Sequence, residues 1–197
     1  MTRLVLASSS PRRRELLAAA GYQFEVVTPS PEAEGEQHDG ESPADYVARM
    51  ARQKAADVAH RLVRDGTTPL GQVSILGCDT VVVCKGKILG KPSSLQDARA
   101  MLQTLRGTEH FAISGLCLWR LPANVLQEQV ESTTLRMAEI NDAAIQEYLN
   151  SGLWQGKAGG FGFQDRTGWL EIVAGSETNV VGLPLEALAE MLHRIAG

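Results

Sequence analysis

The sequence predicts an α/β protein: a mixed, twisted sheet flanked by helices, with two lobes around a central cleft. Three observations predict it. Short apolar runs of strand length alternate with segments whose apolar residues recur at helical spacing. The alternation is irregular, and two of the runs are separated only by Lys85-Gly86, which places an antiparallel hairpin in the sheet. The chain has 197 residues, 44% of them hydrophobic, enough for one domain over residues 1–197 with a substantial core.

Leu4-Val5-Leu6 reads as a buried strand that enters the turn Ser8-Ser9-Ser10. A helix follows, with Ser10 as cap, Pro11 at the first helical position and Gly21 at the left-handed exit. Tyr22–Thr28 reads as a second strand, and the acidic, Pro- and Gly-containing stretch from Pro29 to Glu41 as a loop. Ser42-Pro43 opens a long amphipathic helix to about Leu62, whose core face carries Tyr46, Val47, Met50, Ala51, Ala55 and Val58. The apolar run Val73–Cys84 and the short Lys87–Leu89 form the hairpin. Ser93 or Ser94 caps a helix that ends at Gly107, strands follow at about Phe111–Arg120 and Gln127–Met137, and Asn141 or Asp142 caps a helix reaching Leu149. A glycine-rich stretch, Gly156–Gln164, leads to a strand at Trp169–Val173 and a terminal helix.

Charge and cysteine content exclude several classes. A net charge of −4 argues against broad affinity for nucleic acid, which depends on clustered Lys and Arg. Cys78, Cys84 and Cys117 are odd in number and form no C-x-x-C pair, so neither a disulfide framework nor a zinc site is expected. No apolar stretch reaches the ~20 residues needed to span a bilayer, and a secretory signal layout is not expected, because Arg12-Arg13-Arg14 follow the only short apolar run at the N-terminus. A reducing cytoplasm is the expected compartment, with no membrane and no nucleic acid among the partners.

Several residues are badly placed unless they do chemistry. Arg12-Arg13-Arg14 sit in the first turn of a helix, where the dipole disfavours cations. Either they are solvated or paired with carboxylates, or they join the serines in an anion cradle. Asp79 interrupts the apolar run between Cys78 and Val81, so it either caps a turn through Thr80 or faces a site at the strand end, where it holds a metal or takes a proton from water. Lys87 and Lys91 follow closely enough for one of them to reach a phosphate beside Asp79. Lys54, among alanines on the long helix, is a snorkelling stem or a phosphate contact. The glycine stretch fails the Walker pattern, because Ala158 follows Lys157, and fails the dinucleotide fingerprint, because Asp165 stands where a third glycine belongs. It is a tight loop or a close-approach site, with Gln164 available to a base edge. His38, His60, His110 and His193 show no metal-ligand spacing.

Taken in order, Ser8-Ser9-Ser10-Pro11-Arg12-Arg13, Gly77-Cys78-Asp79-Thr80, Gly90-Lys91-Pro92, Gly156-Lys157-Ala158-Gly159 and Asn179-Val180-Val181-Gly182-Leu183-Pro184 resemble the signature series of the Maf family, across nearly the whole chain. The resemblance implies a nucleoside triphosphate pyrophosphatase, related in fold to the inosine triphosphate pyrophosphatases, that uses Mg²⁺ or Mn²⁺ and forms a homodimer. It makes Asp79 the catalytic base and a metal ligand, and places Ser8, Ser10, Arg13, Lys54 and Lys91 around the triphosphate, with Lys157 in the substrate set. The acidic loop reads Glu32-Ala33-Glu34 where the family pattern has adjacent Asp and Glu, so either Glu32 or Glu34 substitutes as the second metal carboxylate or the loop contributes none. Arg12, Thr80 and Gln164 match the positions that discriminate the base and resemble the dTTP/UTP branch. The alternatives are 7-methyl-GTP as substrate, or a non-catalytic nucleotide-binding regulator of cell division, a role attached to the family through septum formation.

Overall fold

The computed structural model describes residues 3–66, 72–165 and 167–196. Strands β1 (Arg3–Ala7), β2 (Phe24–Val26), β3 (Val73–Cys84), β4 (Lys87–Leu89), β5 (Glu109–Leu121), β6 (Val125–Met137) and β7 (Leu170–Ala174) alternate with helices α1 (Pro11–Ala19), α2 (Pro43–Arg64), α3 (Leu95–Leu105), α4 (Asp142–Asn150), α5 (Glu177–Val181) and α6 (Leu185–Ala196). The strands form one seven-stranded sheet in the order β2-β1-β3-β5-β6-β7, with β4 paired to β3. It is mixed, as expected: β1 runs parallel to β2 and β3, whereas the β3–β4 and β6–β7 pairs are antiparallel.

The chain divides into two compact units, each made of separated segments. The first comprises Met1–Thr80, Ser114–Glu131 and Gly182–Gly197; the second comprises Val81–Ile113 and Ser132–Val181. The first unit is layered on both faces of its strands. Leu4 and Leu6 of β1, Leu76 and Cys78 of β3, and Leu116 and Leu118 of β5 pack against Leu17 of α1 and Leu188 and Met191 of α6. The intervening residues Val5, Ala7, Val73, Ile75 and Cys117 pack against Ala51, Ala55, Val58 and Ala59 of α2. This is the two-residue strand period expressed as two cores. The second unit has one core, in which Ala98, Leu102 and Leu105 of α3 meet Ile145, Tyr148 and Leu149 of α4, with Cys84, Met137 and Trp154.

Two glycines decide how close α2 lies to the strands. A Cβ on Gly77 would stand 2.0 Å from the Ala51 carbonyl oxygen, and one on Gly115 would stand 2.3 Å from that of Val47. Only glycine admits such an approach of backbone to strand.

The capping residues behave as their chemistry requires, with one exception. Ser42, Ser94 and Asn141 accept hydrogen bonds from the amides of Asp45, Asp97 and Ala144. Ser10 occupies the cap position of α1, but its side chain makes no capping bond, and its amide donates to Ser8 Oγ at 3.1 Å. The second strand is shorter than its apolar pattern, and the five-residue α5 covers part of a motif whose sequence carries no helical period. No helix among the described residues is long and apolar enough to cross a membrane.

Candidate active site

The site begins where the parallel pairing of β1 with β3 ends, with Asp79 and Thr80 inside β3 rather than at its end. β1 and β3 pair in register from Arg3↔Val73 to Ala7↔Gly77, so Ser8 follows β1 at the sheet edge where β3 reaches Cys78, Asp79 and Thr80. The carboxyl ends of parallel strands are where α/β folds place ligands. Strand parity then sorts the side chains. Gly77 lies against α2, and Asp79, two residues on, reaches the same helix; Cys78 belongs to the opposite core, and Thr80 meets α1 on that side.

On the α2 side, Lys54 is 5% exposed, one turn beyond the Ala51 carbonyl that Gly77 accommodates. Its ammonium donates to Asp79 Oδ1 at 2.6 Å and lies 3.0 Å from Glu34 Oε1. One cation is therefore shared by two carboxylates, Asp79 in partial burial and Glu34 at the solvent edge. Of the acidic-loop candidates, Glu34 is the one beside Lys54; Glu32 is exposed in the 3-10 turn Pro31–Ala33, and Ala33 between them is buried.

The loop that carries Glu34 is tied back to α2. Arg49 donates to both carboxylate oxygens of Glu41, at 2.7 and 2.6 Å, and to the Glu36 carbonyl at 2.9 Å. Tyr46 donates to the Gly35 carbonyl at 3.0 Å. Burial raises the Tyr46 phenol, and the negative charges of Asp79 and Glu34 push it the same way, so it stays a protonated donor.

On the α1 side, Arg13 alone of the three arginines is buried, on the helix face it shares with Leu17. Its Nε donates to the Gly182 carbonyl at 2.8 Å, Nη1 to Ser8 Oγ at 3.3 Å and Nη2 to Thr80 Oγ1 at 3.2 Å. A guanidinium has five N–H groups, so one remains on each terminal nitrogen. Ser8 Oγ accepts from Arg13 and from the Ser10 amide; with both lone pairs filled, it has only its proton to give. A buried serine proton and a buried, oriented guanidinium beside a helix N-terminus form an anion site. Arg12 is half-buried and Arg14 exposed.

Cys78 directly precedes Asp79 on β3. Its thiol is fully buried, and burial raises it despite the nearby Arg13; Sγ points to the Gly182 carbonyl at 3.5 Å. It is a protonated core residue rather than a nucleophile.

The second unit holds the remaining expected residues. Lys91 is exposed beyond β4, and Gln164 is exposed in the 3-10 turn Phe163–Asp165. Lys157 ion-pairs with Asp165, which also accepts from Tyr148 Oη at 2.6 Å and from the Gly162 amide at 3.1 Å. The glycine stretch is therefore folded around Asp165, the residue that breaks the dinucleotide pattern. Gly159, with φ +68°, also donates to the Gly90 carbonyl at 2.9 Å, next to Lys91.

Sequence reasoning missed three participants: Arg49, the partner of Glu41; Asp165, visible only as a misfit in a glycine motif; and Ser114. Ser114 is fully buried, with its hydroxyl 2.8 Å from Thr80 Oγ1. A hydroxyl inside the apolar run of β5 was the signal available for it.

Fold and site together define an α/β protein with an anion cradle and a carboxylate pair, Asp79 of β3 and Glu34 of the acidic loop, beside the point where the parallel pairing of β1 with β3 ends. A family model described as Maf-like protein matches residues 3–195, and the chain belongs to that family. A curated relative from Rhodopirellula baltica, named dTTP/UTP pyrophosphatase, is 45% identical over 191 residues, covering 96% of this chain and 81% of the relative. Another of that name, from an Anaeromyxobacter species, is 43% identical over 98% of this chain and 89% of its own. A solved structure from Mycobacterium abscessus, described as a nucleoside-triphosphatase / dITP/XTP pyrophosphatase, aligns over 100% of this chain and 99% of its own at 15% identity and a TM-score of 0.47, too distant a likeness to bear on function.

Proposed function

We propose that this protein hydrolyses dTTP and UTP to the nucleoside monophosphate and pyrophosphate, with Asp79 as general base and a divalent cation as cofactor. The observation that carries the reading is the convergence of Asp79 and Glu34 on Lys54, one residue along β3 from the Thr80 that Arg13 grips. An anion cradle alone would bind phosphate. Two carboxylates beside it repel phosphate unless a cation intervenes, and a binding module has no use for them.

The donor set fits a hard divalent ion. Asp79 and Glu34 offer carboxylate oxygens, the donor type of Mg²⁺, an ion held by one or two carboxylates with substrate phosphates completing its shell. Asp79 and Glu34 would hold it, and when bound it would neutralise charge on the polyphosphate and the departing pyrophosphate.

The chain's own residues divide the remaining work. Arg13 and Ser8 direct their unused protons at phosphate oxygens, and Ser10 and Lys91 belong to the same triphosphate set. Lys54 holds the Asp79 carboxylate in orientation and offsets its charge. Asp79 takes the proton of a water attacking the α-phosphorus, so no covalent intermediate on the protein is needed. Arg12, Thr80 and Gln164 stand at the positions that set nucleotide preference, and of these Gln164 is the one suited to a base edge. The Gln164 carboxamide presents a donor and an acceptor to the imide edge of uracil or thymine, and the relatives' names agree with that choice.

The test is product analysis with dTTP, UTP, CTP, GTP, ATP and 7-methyl-GTP, with and without Mg²⁺ or Mn²⁺. Metal-dependent release of pyrophosphate from dTTP and UTP is the expected result. Preference for 7-methyl-GTP would overturn the base assignment, and absence of pyrophosphate from every nucleotide would overturn the reaction.

A further inference from the structure

Thr80 stands at one of the three base-discriminating positions, yet its hydroxyl has no capacity left for a base. A hydroxyl donates one hydrogen bond and accepts two. Thr80 Oγ1 accepts from Arg13 Nη2 at 3.2 Å, donates to the Gly182 carbonyl at 3.2 Å and meets Ser114 Oγ at 2.8 Å. The carbonyl can only accept, so the single Thr80 proton goes there and Ser114 donates into the last lone pair. The acceptor-only Gly182 carbonyl thereby fixes the direction of the bonds around Thr80 and leaves the fully buried Ser114 as a donor to it.

We infer that Thr80 and Ser114 are positioning residues: they act on the substrate through Arg13, setting the two guanidinium N–H groups that face the polyphosphate, and do not read the base. This rests on the nucleotide reading of the site. Strand parity supports it independently. Gly115 is on the α2 side of β5 and Gly77 on the α2 side of β3, so Ser114 and Thr80 share the opposite face, where α1 presents Arg13. The Gly182 carbonyl, gripped by both Arg13 Nε and Thr80, completes a ring that leaves the guanidinium no other orientation. A nucleotide preference set at position 80 is then a preference for how the phosphates lie, transmitted by the arginine.

Binding by calorimetry tests this without relying on turnover. The probes are inorganic tripolyphosphate, dTTP, UTP and CTP with Mg²⁺, against wild type, Thr80→Val, Thr80→Ser and Ser114→Ala, with thermal unfolding as the check on folding. Expected are losses of about tenfold, the scale of one hydrogen bond to a charged group, equal for tripolyphosphate and all three nucleotides, in Thr80→Val and Ser114→Ala. Thr80→Ser, which keeps the hydroxyl, should bind like wild type. In a double-mutant cycle, Thr80→Val added to Arg13→Lys should cost less than it does alone. A changed ratio among the nucleotides with tripolyphosphate unaffected would overturn the inference and make Thr80 a base reader; unchanged binding of every probe would overturn it as well. Should Thr80→Val fail to fold, Ser114→Ala and Thr80→Ser carry the same comparison. Wild type that binds none of the four would remove the nucleotide reading, and this inference with it.

Discussion

Each unit buries a lysine against a carboxylate, and the two pairs are built to opposite ends. In the second unit Lys157 and Asp165 have side chains 13% and 5% exposed, and Asp165 is further bonded by Tyr148 and the Gly162 amide. Its charges cancel and both of its carboxylate oxygens are engaged. Burial raises the Tyr148 phenol, and its bond to Asp165 adds to that, so the donor stays protonated. In the first unit one ammonium serves two carboxylates, Asp79 and Glu34, and leaves a surplus negative charge; the Lys54 side chain is 6% exposed, that of Asp79 16% and that of Glu34 61%. A neutral, closed pair holds a loop in shape. An incomplete one, open on one side and beside an anion cradle, is arranged to receive a cation with its polyphosphate. The same two residue types thus serve folding in one unit and chemistry in the other, and what separates them is the count of charges and unfilled lone pairs.

The comparison breaks most sharply at the two aspartates. Asp79→Asn keeps the shape and removes the base; turnover should fall by about 10²–10⁴-fold, the range for a general base, while the unfolding temperature falls less than in Asp165→Asn because Glu34 still pairs with Lys54. Asp165→Asn should do the reverse. Removing one partner of a buried pair costs about 3–5 kcal/mol, which for a chain of this size lowers the melting temperature by about 6–20 °C. Scanning calorimetry together with a pyrophosphate-release assay on both variants decides it. A stable, inactive Asp165→Asn would mean that the second pair belongs to the chemistry and that the distinction is wrong.

A smaller effect separates the two glutamates of the acidic loop. Glu34→Gln should raise the Mg²⁺ concentration needed for half-maximal activity by about tenfold, equivalent to about 1.4 kcal/mol, because it removes the surplus charge next to Lys54. Glu32→Gln should leave that concentration unchanged. Equal effects from the two would show that general loop acidity, and not the placement of Glu34, supplies the cation site.

Much of the fold was legible because it rests on local rules. The two-residue period of β1 and β3, the caps at Ser42 and Ser94, the Lys85-Gly86 turn and the core face of α2, except for the half-buried Tyr46 that bonds the acidic loop instead, all follow from a few adjacent residues. Asp79 was legible for a different reason: a carboxylate in an apolar run is costly wherever it lies, so it needs a partner. The identity of the partner was not, since Lys54 lies 25 residues away and meets Asp79 only because Gly77 admits α2. The choice between Glu32 and Glu34 depends on a single 3-10 turn that buries Ala33 and turns the next residue toward α2. Arg13 could not be told from its neighbours while the helical phase relative to Leu17 was unassigned. Ser114 and Asp165 were hidden because their significance is a valence filled by a distant partner, and no window of sequence contains both ends of such a bond.

The subtlest expected effect concerns how the Glu34 loop is held. The hydrogen bonds from Arg49 hold the Glu41 carboxyl well below its ordinary value of 4.5, at about 2. A carboxyl depressed in the folded state stabilises the protein above its unfolded value, and that contribution is lost as pH falls through the folded one. Wild type should therefore melt higher than Glu41→Gln at neutral pH, and the gap should narrow as the pH falls from about 5 to 2. The narrowing follows from Glu41 becoming neutral, as the glutamine always is. Melting curves of both proteins across that window, with Glu34→Gln as a reference for an exposed carboxylate of the same loop, make the measurement. A gap that stays constant with pH would show that packing rather than the ion pair secures the loop. One that closes with acid would mean that Glu34 is held beside Lys54 by a second, outer charge pair, so that the open cluster of the first unit depends for its geometry on a closed one, as the glycine loop of the second unit depends on Asp165.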